Sequence, residues 1–145
     1  MTVEELQKLD LFKELSHSET AKIHAICKAT KVNESERLFE MGNPAHTFFV
    51  ILSGNYMVFF SDGTAYTLHK RGEITGWSTV VRPYQYTGTA VALTSGEVLA
   101  FDGSELLRIV QGDAALGDKI MGKVYANVGE HIAFAQSRAM DVTKQ

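Results

Sequence analysis

Between Arg37 and Phe101 the chain is a succession of short stretches rich in Val, Phe, Tyr, Thr and Ile, each closed by turn-forming residues. No other feature limits the fold as much. Arg37 to Glu40, Thr47 to Leu52, Tyr56 to Phe60, Ala65 to His69, Thr87 to Leu93 and Glu97 to Phe101 read as strands. Gly42-Asn43-Pro44 fixes a corner, Ser53-Gly54-Asn55 admits a left-handed residue, and Asp62-Gly63 suits a primed hairpin turn. Strands this short and this evenly spaced favour a roll or barrel.

Helical signals flank this block. Thr2 with Glu5 and Ser16 with Glu19 form capping boxes that open two short helices. In the second, Ile23, Ile26, Cys27 and Thr30 fall on one face. After Asp102-Gly103, Ser104 is placed to cap a short helix through Leu106, Leu107, Ile109 and Val110, which Gly112-Asp113 interrupts. A long helix follows, with Leu116, Ile120, Val124, Val128 and Ile132 in one apolar row, Met121 and Tyr125 widening it, and Gly122, Ala126, Gly129 and Ala133 in a row of small residues. Gly122 and Gly129 each oppose the helix by about 1 kcal/mol unless close packing offsets them. The sequence leaves two readings: a parallel or near-parallel homodimer through this helix, or a weakly helical tail. The whole reads as one domain over 1–145, with N-terminal helices at 1–30, a β-roll at 31–102 and C-terminal helices at 104–140. The fold class is mainly β with flanking helices.

A chain of 145 residues with 45% hydrophobic content can bury one real core. Fourteen basic against seventeen acidic residues give a net charge of −3, without the excess that neutralises nucleic-acid phosphates. Cys27 is the only cysteine, so no intramolecular disulfide forms, and a reducing cytoplasm is the expected location. The start lacks the basic flank and apolar run of a signal peptide, and no stretch reaches membrane-spanning length.

Enzyme constellations are missing. His17, His24, His46, His69 and His131 are scattered one per element with no His-x-His pair, so no metal site is expected. Ser53 and Ser78 lack the Gly-x-Ser-x-Gly frame, and no Gly-Lys-Ser/Thr follows Gly72-Glu73 or Gly76. Met1, Met41, Met57, Met121 and Met140 read as start residue and packing. No catalytic residue is assigned.

The stretch Arg37-Leu-Phe-Glu-Met-Gly-Asn-Pro-Ala-His-Thr-Phe-Phe-Val-Ile-Leu-Ser-Gly54 resembles the opening strands of the cyclic-nucleotide-binding domains of the catabolite-activator, or Crp/Fnr-like, superfamily. The likeness continues through Gly72-Glu-Ile-Thr-Gly76 to Thr87-Gly-Thr-Ala-Val-Ala-Leu93 and covers nearly the whole chain. It implies a jelly-roll (β-roll) regulatory domain without catalysis. In that family a Glu takes the ribose and an Arg neutralises the cyclic phosphate beside a short amide-presenting helix. Here Gly76 matches the cassette glycine, Trp77 stands for the Glu, Tyr86 for the Arg, and Thr87 matches the small hydroxyl that follows. Losing charged hydrogen bonds of about 1.5 to 3 kcal/mol each argues against ordinary cAMP or cGMP binding.

The segment Gly76-Trp-Ser-Thr-Val-Val-Arg-Pro-Tyr-Gln-Tyr-Thr87 resembles a subset of bacterial single-domain members. Trp77, Tyr84 and Tyr86 either stack on a flat ligand or fill the cassette themselves, and Arg82 is either a repositioned cation or an exposed side chain. The resemblance implies a sensor for a cyclic nucleotide or another small anionic or aromatic ligand, lined by Gly76, Trp77, Ser78, Arg82, Tyr86 and Thr87, with Asn127 or Gln136 reaching from the long helix. No resident cofactor is expected. Haem is disfavoured because Cys27 is expected in the N-terminal helix, outside the roll. In related transcription factors a helix-turn-helix follows the long helix. Here the sequence stops at Gln145, so output is expected through the dimer or a protein effector rather than DNA or membrane. The competing readings are a ligand-free dimeric interaction scaffold and, last, a cupin-like enzyme.

Overall fold

The computed structural model describes the backbone of residues 1–143 and side-chain surroundings through residue 129. Helix α1 spans Val3–Gln7, a 3-10 turn Asp10–Phe12, and α2 His17–His24. The strands are β1 (Cys27–Val32), β2 (Arg37–Phe39), β3 (Thr47–Ser53), β4 (Tyr56–Phe59), β5 (Ala65–Leu68), β6 (Ile74–Thr75), β7 (Thr89–Ala92) and β8 (Gly96–Asp102). A second 3-10 turn covers Trp77–Thr79, and α3 (Gly103–Gly112) and α4 (Ala114–Thr143) complete the chain.

Two antiparallel four-stranded sheets, ordered β1-β8-β3-β6 and β2-β7-β4-β5, face each other as a roll. The unbroken apolar run of β3 has a simple cause: the strand is buried on both faces. Phe49 and Ile51 point into the roll beside Tyr56, Val58, Leu68 and Val98. Phe48, Val50 and Leu52 point the other way, into a helix-covered core with Phe12, Ile23, Phe101, Leu106 and Leu116. Leu116, Ile120, Val124 and Val128 are all buried there, which docks the first turns of α4 on the roll. Ile132 and Ala133 lie outside the residues whose side chains are described.

Charges reinforce this docking. Glu19 closes the α2 capping box with Ser16 and also meets Lys119 at 2.8 Å, while Lys22 meets Asp113 at 3.2 Å and Lys123 meets Asp10 at 3.5 Å. Gly117 allows α3 and α4 to converge, because a Cβ there would collide with the Val110 carbonyl.

Several sequence expectations need correction. Cys27 begins β1 and pairs with Phe101, instead of continuing the second helix. The unpaired edge of β8 recruits this segment, and a backbone ladder outweighs a chance helical period. The roll therefore starts before residue 31, and Cys27 lies within it. Thr2 caps α1 through Glu5 N–H, although its hydroxyl and the Glu5 carboxylate bond each other directly, at 3.3 Å. Asp102, not Ser104, caps α3: it accepts from Glu105 N–H at 3.0 Å and from the Ser104 hydroxyl at 2.8 Å. Asp62-Gly63 does not form a primed turn: both primed types need a positive φ at the first central residue, and Asp62 has none, only Gly63, at φ 89, being left-handed. β6, too short to announce itself, was not expected. Among the described residues no helix is long and apolar enough to cross a membrane, and no cluster of three His, Cys, Asp or Glu is placed to hold a metal.

Candidate functional site

The site is built where β6 leaves the first sheet. Gly76 adopts φ 74 and starts the 3-10 turn Trp77–Thr79. Two constraints fix glycine here: the left-handed backbone, and the Thr47 carbonyl, which a Cβ would approach to 2.7 Å. The turn is closed by Val80 N–H donating to the Trp77 carbonyl at 3.0 Å and by the Thr79 hydroxyl donating to the Gly76 carbonyl at 3.1 Å. A loop then leads back to β7 through Tyr86 and Thr87.

Gly76, Trp77, Ser78, Tyr86 and Thr87 come together around one pocket, with Ser78 and Tyr86 buried and Thr87 exposed. The remaining lining is Phe39, Val58, Phe60, Tyr66, Thr75 and Gly88, so among the described residues no charged side chain borders the pocket. Two groups of rings close it. Tyr86 stacks on Phe39 with centroids 4.2 Å apart and planes 14° apart. Trp77 lies parallel to Tyr66 at 6.4 Å, and Tyr66 meets Phe60 at 6.0 Å. The space left inside is about 10 Å³, room for at most one water.

Tyr86 is held at both ends. Its ring lies on Phe39, and its hydroxyl accepts from Thr47 N–H at 2.9 Å and donates to the Thr47 carbonyl at 2.7 Å. Burial pushes this phenol's pKa up, and its hydrogen bonds to the backbone act the other way. Burial also pushes Tyr66 up strongly, with the Thr75 hydroxyl opposing. Both phenols are therefore neutral at physiological pH, and neither adds charge to the pocket.

Two expected ligand contacts are not gathered here. Arg82 is exposed, does not line the pocket and makes no ion pair among the described residues. It precedes Pro83 on a turn that carries the backbone past the cassette, so its head remains in water. Asn127 lines a different cavity, with Lys70, Gly72, Glu73 and Lys123. The docking of α4 turns it away from Gly76. Gln136 lies outside the residues whose side chains are described.

The sequence reading missed Phe39, Phe60 and Tyr66 as wall residues. Strand alternation carried the signal: Tyr66 shares a face with the inward Leu68, and Phe60 continues the inward row of Tyr56 and Val58.

Comparison with known proteins locates this architecture. The family model of the cyclic nucleotide-binding domain matches residues 29–113. A Geobacter metallireducens GS-15 protein assigned to cyclic nucleotide binding superposes with a TM-score of 0.84 at 24% identity, covering 91% of this chain and 98% of that one. The sensor domain of the transcriptional regulator DNR from Pseudomonas aeruginosa gives 0.73 at 21% identity, over 86% of this chain and 91% of that one. The regulatory subunit of a cAMP-independent protein kinase A from Trypanosoma brucei gives 0.77 at 14% identity, over 94% of this chain and 48% of that one. No curated protein matches by sequence.

Proposed function

This chain belongs to the cyclic nucleotide-binding domain family, and we propose that it works as a non-catalytic regulatory domain whose cassette is not built for ordinary cyclic nucleotides. One observation carries the reading: among the described residues the pocket is bordered by uncharged side chains alone, and it retains about 10 Å³. A cyclic phosphate placed there meets no cation, and burying an unpaired anion is unfavourable by several kcal/mol. Its sugar and base also have no room unless Tyr86 or Trp77 moves. A ligand that does enter is flat and weakly charged, taking ring contacts from Trp77 and Tyr66 and hydrogen bonds from Ser78 and Thr87. One structural neighbour is the regulatory subunit of a protein kinase A described as cAMP-independent.

The proposal includes pairing of two copies along α4. In support, the Gly122 and Gly129 positions face open space and Tyr125 is 59% exposed, so among the described residues this side of the helix packs on nothing. Output passes through that helix to a protein effector, and a reducing cytoplasm suits the lone thiol of Cys27.

The filled pocket also favours a second reading, a ligand-free dimeric interaction scaffold. Thermal-shift measurements with cAMP, cGMP, cyclic dinucleotides and uncharged purines separate the two. Stabilisation by a neutral aromatic alone supports the sensor, and no stabilisation by any of them supports the scaffold. Saturable micromolar binding of cAMP or cGMP overturns both.

A further inference from the structure

An open sheet leaves a row of unpaired backbone groups along each edge, and here the longest such edge is β1. It runs six residues, Cys27–Val32, against three for β2, four for β5 and two for β6, the strands at the other sheet edges. Its register on β8 is unbroken, and it contains no proline. Native edges are ordinarily blunted by bulges, prolines or a covering element. β1 has β8 on one side only, and Ala29 and Lys31 are exposed.

The direction of the free groups follows from the ladder. Asp102 N–H donates to the Ile26 carbonyl at 3.4 Å, and on the other side of β8 Gly103 N–H donates to the His46 carbonyl at 2.7 Å. Successive residues of an antiparallel strand turn their N–H and C=O groups to opposite sides. Lys28, Thr30 and Val32 therefore bond β8, and the backbone groups of Cys27, Ala29 and Lys31 point outward. Among the described residues no other strand takes them up.

The side chains select the occupant. Lys28 and Lys31 are exposed and enter no ion pair among the described residues, although Lys31 stands across the ladder from Glu97. Three residues apart, they lie on opposite faces of the strand, so an added neighbour meets one cation on each face. A second copy is the wrong neighbour. With the outward groups matched, every two-fold antiparallel register sets Lys28 or Lys31 opposite or diagonal to its own counterpart, and like charges placed so are unfavourable. Carboxylates at those positions are favourable.

We propose that β1 docks an extended acidic segment of a partner protein, which joins the first sheet as a fifth strand. Backbone bonds to Cys27, Ala29 and Lys31 hold it, and carboxylates facing Lys28 and Lys31 set its register. None of these residues lines the cassette pocket or belongs to α4, so nucleotide titration and pairing through that helix do not bear on this edge.

The test is nitrogen-15 NMR on the full chain with the peptide acetyl-Thr-Glu-Val-Thr-Glu-Val-amide, whose glutamates fall opposite Lys31 and Lys28 when it lies antiparallel. Saturable binding should slow hydrogen exchange at the Ala29 and Lys31 amides, while those of Thr30 and Val32, already bonded to β8, keep their rates. Proline in place of the second threonine removes the N–H facing Ala29 and should abolish binding. A peptide with lysines for both glutamates should bind at least about tenfold more weakly. Lys28→Glu combined with Lys31→Gln, at two exposed positions, should reverse that preference. Protection of Ala29 and Lys31 that grows with protein concentration in the absence of peptide assigns the edge to a second copy and overturns the proposal. So does binding of the acidic peptide that leaves those two amides unprotected, and so does the absence of binding.

Discussion

The Tyr86 hydroxyl bonds both backbone groups of Thr47, accepting from its N–H at 2.9 Å and donating to its carbonyl at 2.7 Å. This clamp fixes the ring at the position where the family's phosphate-binding arginine is expected. The Tyr86 ring thus lines the pocket beside Gly76 while its hydroxyl braces the start of β3.

Tyr86→Phe keeps the stack on Phe39 but leaves both Thr47 groups unmet. It should destabilise the fold by about 1–3 kcal/mol, the usual penalty for part-buried polar groups that lose their partner. Urea unfolding with an unchanged m-value is the check. A change near zero would mean that water replaces the hydroxyl fully.

Glycines in the C-terminal helices should separate by role. At Gly117 an added Cβ strikes the Val110 carbonyl, whereas at Gly122 it meets open space. Gly117→Ala should therefore destabilise the chain. Gly122→Ala should stabilise the monomer by about 1 kcal/mol through helix propensity. If two copies pair along this face, Gly122→Leu should weaken self-association in sedimentation equilibrium while leaving the monomer folded.

Acid should loosen the helix docking. Glu19 is held below the ordinary carboxylate range mainly by the Lys119 ammonium, Asp113 mainly by Leu116 N–H with Lys22 adding, and Asp102 mainly by Glu105 N–H. Folded values below unfolded ones mean that this stability is fully present above the ordinary carboxylate pKa of about 4 and is lost as pH falls through the lowered folded values. Melting temperature should drop across that window, and Lys119→Met should flatten the part owed to Glu19.

Much of this was legible in the sequence, and the failures have physical causes. The strands from β2 to β5, β7 and β8 stood out because they are rich in β-branched or aromatic residues and bounded by turn residues. β1 was hidden because Ile23, Ile26, Cys27 and Thr30 happen to repeat at a helical spacing, and only the free edge of β8 decides otherwise. That Gly76 to Ser78, Tyr86 and Thr87 border one pocket follows their order along the chain. Asn127 borders a different cavity, since its direction depends on how α4 rotates as Leu116, Ile120 and Val124 dock, which no local pattern encodes.

Arg82→Ala provides a control for the cassette. With its side chain exposed and away from the pocket lining, the change should stay within about 0.5 kcal/mol in stability. It should not alter any ligand response. A marked loss of ligand binding would instead place Arg82 at the site in solution.

Isothermal titration of cAMP tests the central claim most directly, comparing the native chain with a Trp77→Glu, Tyr86→Arg variant whose fold is verified by circular dichroism. The account predicts no saturable heat from the native chain and measurable binding once the ribose acceptor and the phosphate cation are supplied. Micromolar binding by the native chain would contradict it.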